Sequence, residues 1–403
     1  DDKLAVITPM LLVFVPQIVF YGIGMVATAA LAARRRFAAA ALAPAVNNLI
    51  VIVCYLAFAV SRDGSPASLD LDALQFTVLA GGTTLAVVVF TAVPGIVLSA
   101  QGIAWRPRWQ PSHPAISSLR HTVGWAMLSV VGTLMPTAAA VVLGYPAEGA
   151  VAVFAMAFAF FVLPHALVAV PVATALAPRA AEAWQRGDVD ETRQLVDRSA
   201  QVVVPLLMFA GVALMTLAWP VARVAGSLGQ AASQGYTPIA HTLAVFGTGL
   251  VAYGMAFVMT RVLFALDDVR RASLLVSSSA LAGVVAMVIA SGLVADGQRS
   301  VALALGYSVT QIVSASLLTV RVRFMTGAPT VSTIGRLSVG SVAAAVVCAA
   351  VIVPVQLQFG TSASSSLMAI FVAGIAGALV FAASVALFIG VTPRTLLRHI
   401  GRT

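Results

Sequence analysis

The sequence predicts an all-α integral membrane protein with about eleven transmembrane helices. Three observations carry that prediction. Of 403 residues, 60% are hydrophobic and only 9% charged, and the mean hydropathy is +1.01, far from the balance of a water-soluble domain. The apolar residues fall in continuous runs, and about 20 such residues in a helix cross a bilayer core of about 30 Å. The runs lack the every-other-residue alternation of barrel strands, and lipid admits no third way of satisfying a backbone.

The spans cover residues 7–33, 38–60, 73–101, 122–143, 150–176, 199–224, 238–263, 272–294, 301–320, 336–355 and 365–391. The first two form a hairpin, PQIVFYGIGMVATAALAARRRFAAAALAPAVNNLIVIV, from Pro16 to Val53 around Arg34, Arg35 and Arg36. Charge alternates between successive links. Arg34–Arg36, Arg106 and Arg108, Arg179–Arg198, Arg270 and Arg271, Arg321 and Arg323, and Arg394–Arg402 fall on one side. Lys3, Arg62, Arg223 and Arg299 fall on the other. By the positive-inside rule the Arg-rich side and the C-terminus are cytoplasmic, and Asp1 starts outside. The net charge of +9 then describes a rim facing anionic headgroups, so nucleic acid is not an expected partner. Cys54 and Cys348 lie inside apolar runs and read as small buried thiols.

An internal repeat sets the organisation. Tyr21, Gly22, Val26, Thr28 and Leu31 recur at the same spacing as Tyr253, Gly254, Val258, Thr260 and Leu263, and both segments run inward. That is a parallel duplication. It divides the chain into 1–120, the last three helices of a first lobe; 121–320, a second six-helix lobe; and 321–403, two terminal helices and a cytoplasmic tail. Three further helices are expected before Asp1.

FYGIGMVATAALAARRRFAAAALAPAVNNLIVI resembles a hairpin of the MurJ/MviN family, the lipid II flippases of the multidrug/oligosaccharidyl-lipid/polysaccharide exporter superfamily. The family pattern survives as Ala33, Arg36, Phe37, Ala40, Leu42, Ala43, Pro44 and Asn48, with its initial Asn replaced. A second match runs from Phe161, Leu163 and Pro164 to Pro178, Arg179, Gly187 and Asp188. The resemblance implies two six-helix lobes around a cavity, with the two terminal helices forming a lipid-tail groove. It implies alternating access that carries a lipid-linked disaccharide-pentapeptide to the outer leaflet of a bacterial inner membrane, with membrane lipids and cell-wall synthesis proteins as partners. It also implies a cavity arginine that is absent here, where Ala159 stands.

Such a substrate needs a cation for its diphosphate and polar groups for its head. Charges are costly inside a span and mark function or snorkelling, and Arg223 and Arg261 lie near span ends. Gln17, Asn47 and Asn48 are amides within spans that serve either a cavity or helix–helix bonds. His165, beside Pro164, is either a proton site or a packing group. Pro44, Pro136, Pro164 and Pro171 are hinge candidates, each removing a backbone hydrogen bond.

Catalytic signatures are missing: no Gly-rich phosphate loop, metal-ligand spacing or nucleophile elbow occurs, so a transporter without metal or cofactor is expected rather than an enzyme. The stretch Arg179–Arg198 reads as an amphipathic cytoplasmic helix, and Asp267 and Asp268 as partners of Arg270 and Arg271. Two other readings stay open. One is an ion-coupled antiporter of the same superfamily, which the absence of Asp and Glu from the spans disfavours. The other is a non-transporting scaffold for cell-wall synthesis.

Overall fold

The computed structural model describes residues 2–34, 36–62, 71–102, 114–227, 235–327 and 330–389. Arg35, Arg106, Arg108, Arg394, Arg398, Arg402 and the expected cytoplasmic tail lie outside the described residues. The described secondary structure is helical throughout, and eleven helices are long and apolar enough to cross a membrane, as the apolar runs predict. The chain packs as two compact units, Asp1–Gln110 and Pro111–Thr403.

In the first unit, α1 (Asp2–Ala33) and α2 (Phe37–Ser61) are followed by a span made of α3 (Ala73–Phe76), a π-helical stretch (Thr77–Gly81) and α4 (Gly82–Ala100). Asp72 starts that span with a capping box: its carboxylate accepts the Gln75 N–H at 2.7 Å, and the Gln75 side chain accepts the Asp72 N–H. The packing places α4 between α1 and α2. Gly82 makes this close approach possible, since a side chain there would meet Cys54 of α2.

The second unit contains α5 (Pro114–Gly144), α6 (Ala150–Gln185), α7 (Val189–Thr216), α8 (Ala218–Gly226), α9 (Tyr236–Ala265), α10 (Val269–Leu293), α11 (Arg299–Thr326), α12 (Thr330–Gln356) and α13 (Ala363–Ile389). Its centre is α9, which packs against α6, α7, α8 and α11. Ile239, Leu243, Phe246, Leu250, Met259 and Leu263 of α9 have no exposed surface. A helix apolar all round belongs in such a position. Helices α12 and α13 pack on each other and against α7 and α8.

Two local expectations change. The stretch 179–198 is not a separate amphipathic helix: α6 continues to Gln185 and α7 begins at Val189. Gly187, at φ 75°, takes the left-handed position that ends α6, and the Asp188 carboxylate caps α7 by accepting the Glu191 N–H at 2.8 Å. At 36 residues, α6 is about 54 Å long, so its charged last turns outrun the bilayer core. The apolar run 199–224 is likewise not one helix, because α7 stops at Thr216 and α8 restarts at Ala218. Pro220 has no N–H to offer the Thr216 carbonyl, and it is tolerated in the first turn of the new helix.

The helix ends that follow the two repeat segments carry the same cap, one that α6 also has where the Asp188 N–H donates to the Ala183 carbonyl at 3.0 Å. The Arg36 N–H donates to the Leu31 carbonyl at 2.9 Å, and the Asp268 N–H donates to the Leu263 carbonyl at 2.9 Å. Thr84 Oγ1 donates to the Val13 carbonyl at 3.4 Å, and Ser308 Oγ to the Val245 carbonyl at 3.4 Å. Leu31 and Leu263, and Val13 and Val245, are separated by the same interval as Tyr21 and Tyr253. In both units the third span of the set sits between the other two, as α4 between α1 and α2 and as α11 between α9 and α10.

Candidate substrate-facing site

Helices α6 and α9 run side by side in constant register, which stacks their rings into a column. Phe154 meets Phe246 edge-on at 5.3 Å, Phe161 stacks on Tyr253 at 5.2 Å, and His165 stands edge-on to Phe257 at 5.1 Å. Each pair keeps the same sequence offset, as two parallel helices require. Tyr307 of α11 closes the column against Phe158 at 5.2 Å and Phe161 at 5.9 Å. Aromatic pairs contribute about 0.5–1.5 kcal/mol each beyond area burial, and Phe154, Phe161, Phe246 and Tyr307 belong to the buried core of the unit.

His165 is 4% exposed and stacks on Tyr253 at 3.9 Å, and its Nδ1 has no hydrogen-bond partner among the described residues. Arg261 terminates the column. It lies one turn from the end of α9, its side is exposed, and its guanidinium stands 5.1 Å above the Phe257 ring. That ring holds a cation by the attraction of its negative face while leaving the N–H donors free for an anion. Phe257 thus joins two of the residues singled out in the sequence, His165 on one side and Arg261 on the other. Ala159, where the resemblance implies an arginine, is exposed on α6.

In the first unit Gln17 Nε2 donates to Thr84 Oγ1 at 2.6 Å, which ties α1 to α4. Asn47 Nδ2 donates to the exposed Asn48 Oδ1 at 3.3 Å, and Asn47 Oδ1 is buried without a hydrogen-bond partner. Both amides lie one turn beyond Pro44, which is exposed on α2. Pro136 lies inside α5, and Pro164 and Pro171 lie inside an α6 that continues through both. With Pro178 they repeat every seventh residue, so the three rings share one side of the helix.

Sequence reasoning missed one feature of the α9–α10 turn. Asp268 does not pair with its neighbours Arg270 and Arg271; Arg321 Nε of α11 donates to Asp268 Oδ2, and both side chains are about 15% exposed. Arg270 instead lies 5.1 Å over the Trp125 ring of α5. Partners this distant in sequence leave no local signal.

Comparisons with known proteins agree on one family. The family model described as lipid II flippase MurJ matches residues 1–388. A protein of Rhizobium meliloti (strain 1021) named "Probable lipid II flippase MurJ" is 28% identical over 372 residues, covering 90% of this chain and 67% of the relative. A Rhizobium tropici protein of the same name is 28% identical over 239 residues, covering 58% of this chain and 43% of the relative. A solved structure titled "Lipid II flippase MurJ, inward closed conformation" matches with a TM-score of 0.69 at 17% identity, over 95% of this chain and 74% of that one. This last likeness establishes the fold.

Proposed function

Because the chain belongs to the lipid II flippase MurJ family, we propose that it carries an undecaprenyl-diphosphate-linked disaccharide-pentapeptide from the inner to the outer leaflet by alternating access. The observation that carries this reading is the family match along 388 residues, joined to an eleven-span apolar fold. The protein then acts as a transporter, not as an enzyme, and its substrate and membrane lipids are its partners. Cell-wall synthesis proteins are the natural recipients of its product.

In this reading the Arg-rich links are cytoplasmic, by the positive-inside rule. Arg261 sits at the cytoplasmic end of α9 with free donors, where it meets the diphosphate as the substrate enters. The aromatic column behind it is a stiff wall against which the site opens and closes. Asn47 and Asn48 offer amides to the sugar or peptide, and Gln17 holds α1 against α4 while α2 moves. Pro44, Pro136, Pro164 and Pro171 supply the bends. Residues 321–403 contribute the α12–α13 pair, whose apolar faces hold the polyprenyl tail. An anion moved outward gains from the membrane potential, about 2.3 kcal/mol per charge per 100 mV.

The experiment is depletion of the full-length protein in its host, followed by a probe of lipid II on the outer leaflet. Accumulation inside, rescued by wild type and not by Arg261→Gln, is the expected result. Normal exposure of lipid II together with misplaced cell-wall enzymes would replace transport by a scaffold role. Loss of transport of a small cation, with lipid II unaffected, would point to an antiporter.

A further inference from the structure

We infer that the α8–α9 corner is a second anion site, one that holds the phosphate of a lipid at the membrane face opposite Arg261. Four side chains meet there. Arg223, in the last turn of α8, lies with its guanidinium 5.9 Å over the Tyr236 ring at the start of α9. Trp219 stands edge-on to Tyr236 at 6.3 Å and to His241 at 5.7 Å. Trp219 is 38% and Tyr236 47% exposed, and His241 is also exposed.

Each part has a physical reason to favour a lipid headgroup. Trp and Tyr sit at the level of the headgroups because one end of each ring system is apolar and the other is wet. Arg223 forms no ion pair among the described residues, and its Nε is buried without a hydrogen-bond partner. The other outward arginine of this unit shares the unpartnered Nε but is otherwise engaged: Arg299 is held by Asp296 at 2.8 Å and by the Ser291 carbonyl at 2.9 Å. Beside Arg223, the N-cap of α9 is Gly235, and among the described residues no side chain caps the first turn, so its N–H groups add positive potential at the same place.

The position supplies the tail. Leu217 and Val221, which lie on the same short segment as Arg223, pack with Cys348 and Ile352 of α12 and Phe381 and Val385 of α13. A lipid whose chain lies along the α12–α13 pair has its phosphate within reach of α8. Two sources share this chemistry, the diphosphate of the transported lipid and the phosphodiester of an anionic phospholipid. The outward placement of α8 rests on the positive-inside reading of the links, and the transported lipid as a source rests on the flippase reading.

The test is native mass spectrometry of the full-length protein with two probes, undecaprenyl diphosphate and phosphatidylglycerol, comparing wild type, Arg223→Gln, Arg223→Lys and Arg299→Gln. Arg223→Gln is expected to lower retention about tenfold, the effect of one charge-assisted contact, while Arg223→Lys and Arg299→Gln retain most of it. Loss of either lipid upholds the site and names its source; unchanged retention of both overturns it. A second measurement needs no variant: diazirine-bearing forms of the same two lipids are expected to crosslink to peptides spanning 218–241, and an absence of such crosslinks overturns the site. Binding is read without transport. A protein that fails to flip lipid II yet retains lipid through Arg223 sinks the flippase reading and leaves this site standing.

Discussion

Arg261 and His165 share Phe257 and have opposite prospects. Arg261 keeps its donors free beside a ring that only holds its charge, so Arg261→Gln should slow the appearance of lipid II outside by about tenfold or more, with Arg261→Lys intermediate. An unchanged rate with Arg261→Gln would remove this residue from the site. His165 sits among rings with Nδ1 unpartnered, so His165→Phe replaces an unsatisfied polar group by a ring of similar breadth. The expected outcome is a detergent-solubilised protein of equal stability, or one more stable by about 1 kcal/mol, that still transports. Loss of transport at unchanged melting temperature would instead assign His165 a proton. Sequence raised both residues. It did not show that one is enclosed and the other open, because burial depends on which helix faces which.

At the scale of elements, the turns at the Arg-rich ends carry their own stabilising devices. Gly187 ends α6 in a left-handed conformation with open space around it, so Gly187→Ala should cost about 1 kcal/mol through backbone strain alone. A melting temperature unchanged by that substitution would show that the turn relaxes. The Asp268–Arg321 pair pins the α9–α10 turn to α11. Asp268→Asn should destabilise by about 2 kcal/mol, between the values for exposed and fully buried pairs, because Arg321 is left poorly solvated. Arg321→Leu in that background should restore part of the loss, as removal of both charges relieves the unpaired one. The break at Gly187 and Asp188 was missed when 179–198 was read as one helix, although its signal, a glycine followed by a capping carboxylate, is local and was there to be read. The Asp268–Arg321 pair was not, since its members are on different helices.

For the molecule as a whole, sidedness is the claim most open to measurement. After Cys54 and Cys348 are replaced by Ser, Ser227→Cys should react with a membrane-impermeant maleimide in intact cells, and Gln185→Cys only after lysis. Reversed labelling would invert the topology and with it the assignment of Arg261 to the entry side.

Composition and run length were enough to fix a helical membrane protein with eleven spans, because a lipid solvent forces each crossing to satisfy its own backbone within about 20 residues. The Tyr21 and Tyr253 repeat was an expectation from the sequence; the helices that carry it end in the same cap at Leu31 and Leu263, which α6 shares at Ala183. Tertiary structure alone decided that α9 is the buried centre of its unit, that Gln17 is engaged by Thr84, and that Arg223, Trp219, Tyr236 and His241 converge at one corner. Inside a membrane almost every face of every helix is apolar, so hydrophobic pattern no longer distinguishes lipid from protein as a neighbour. Only close packing between helices makes that choice.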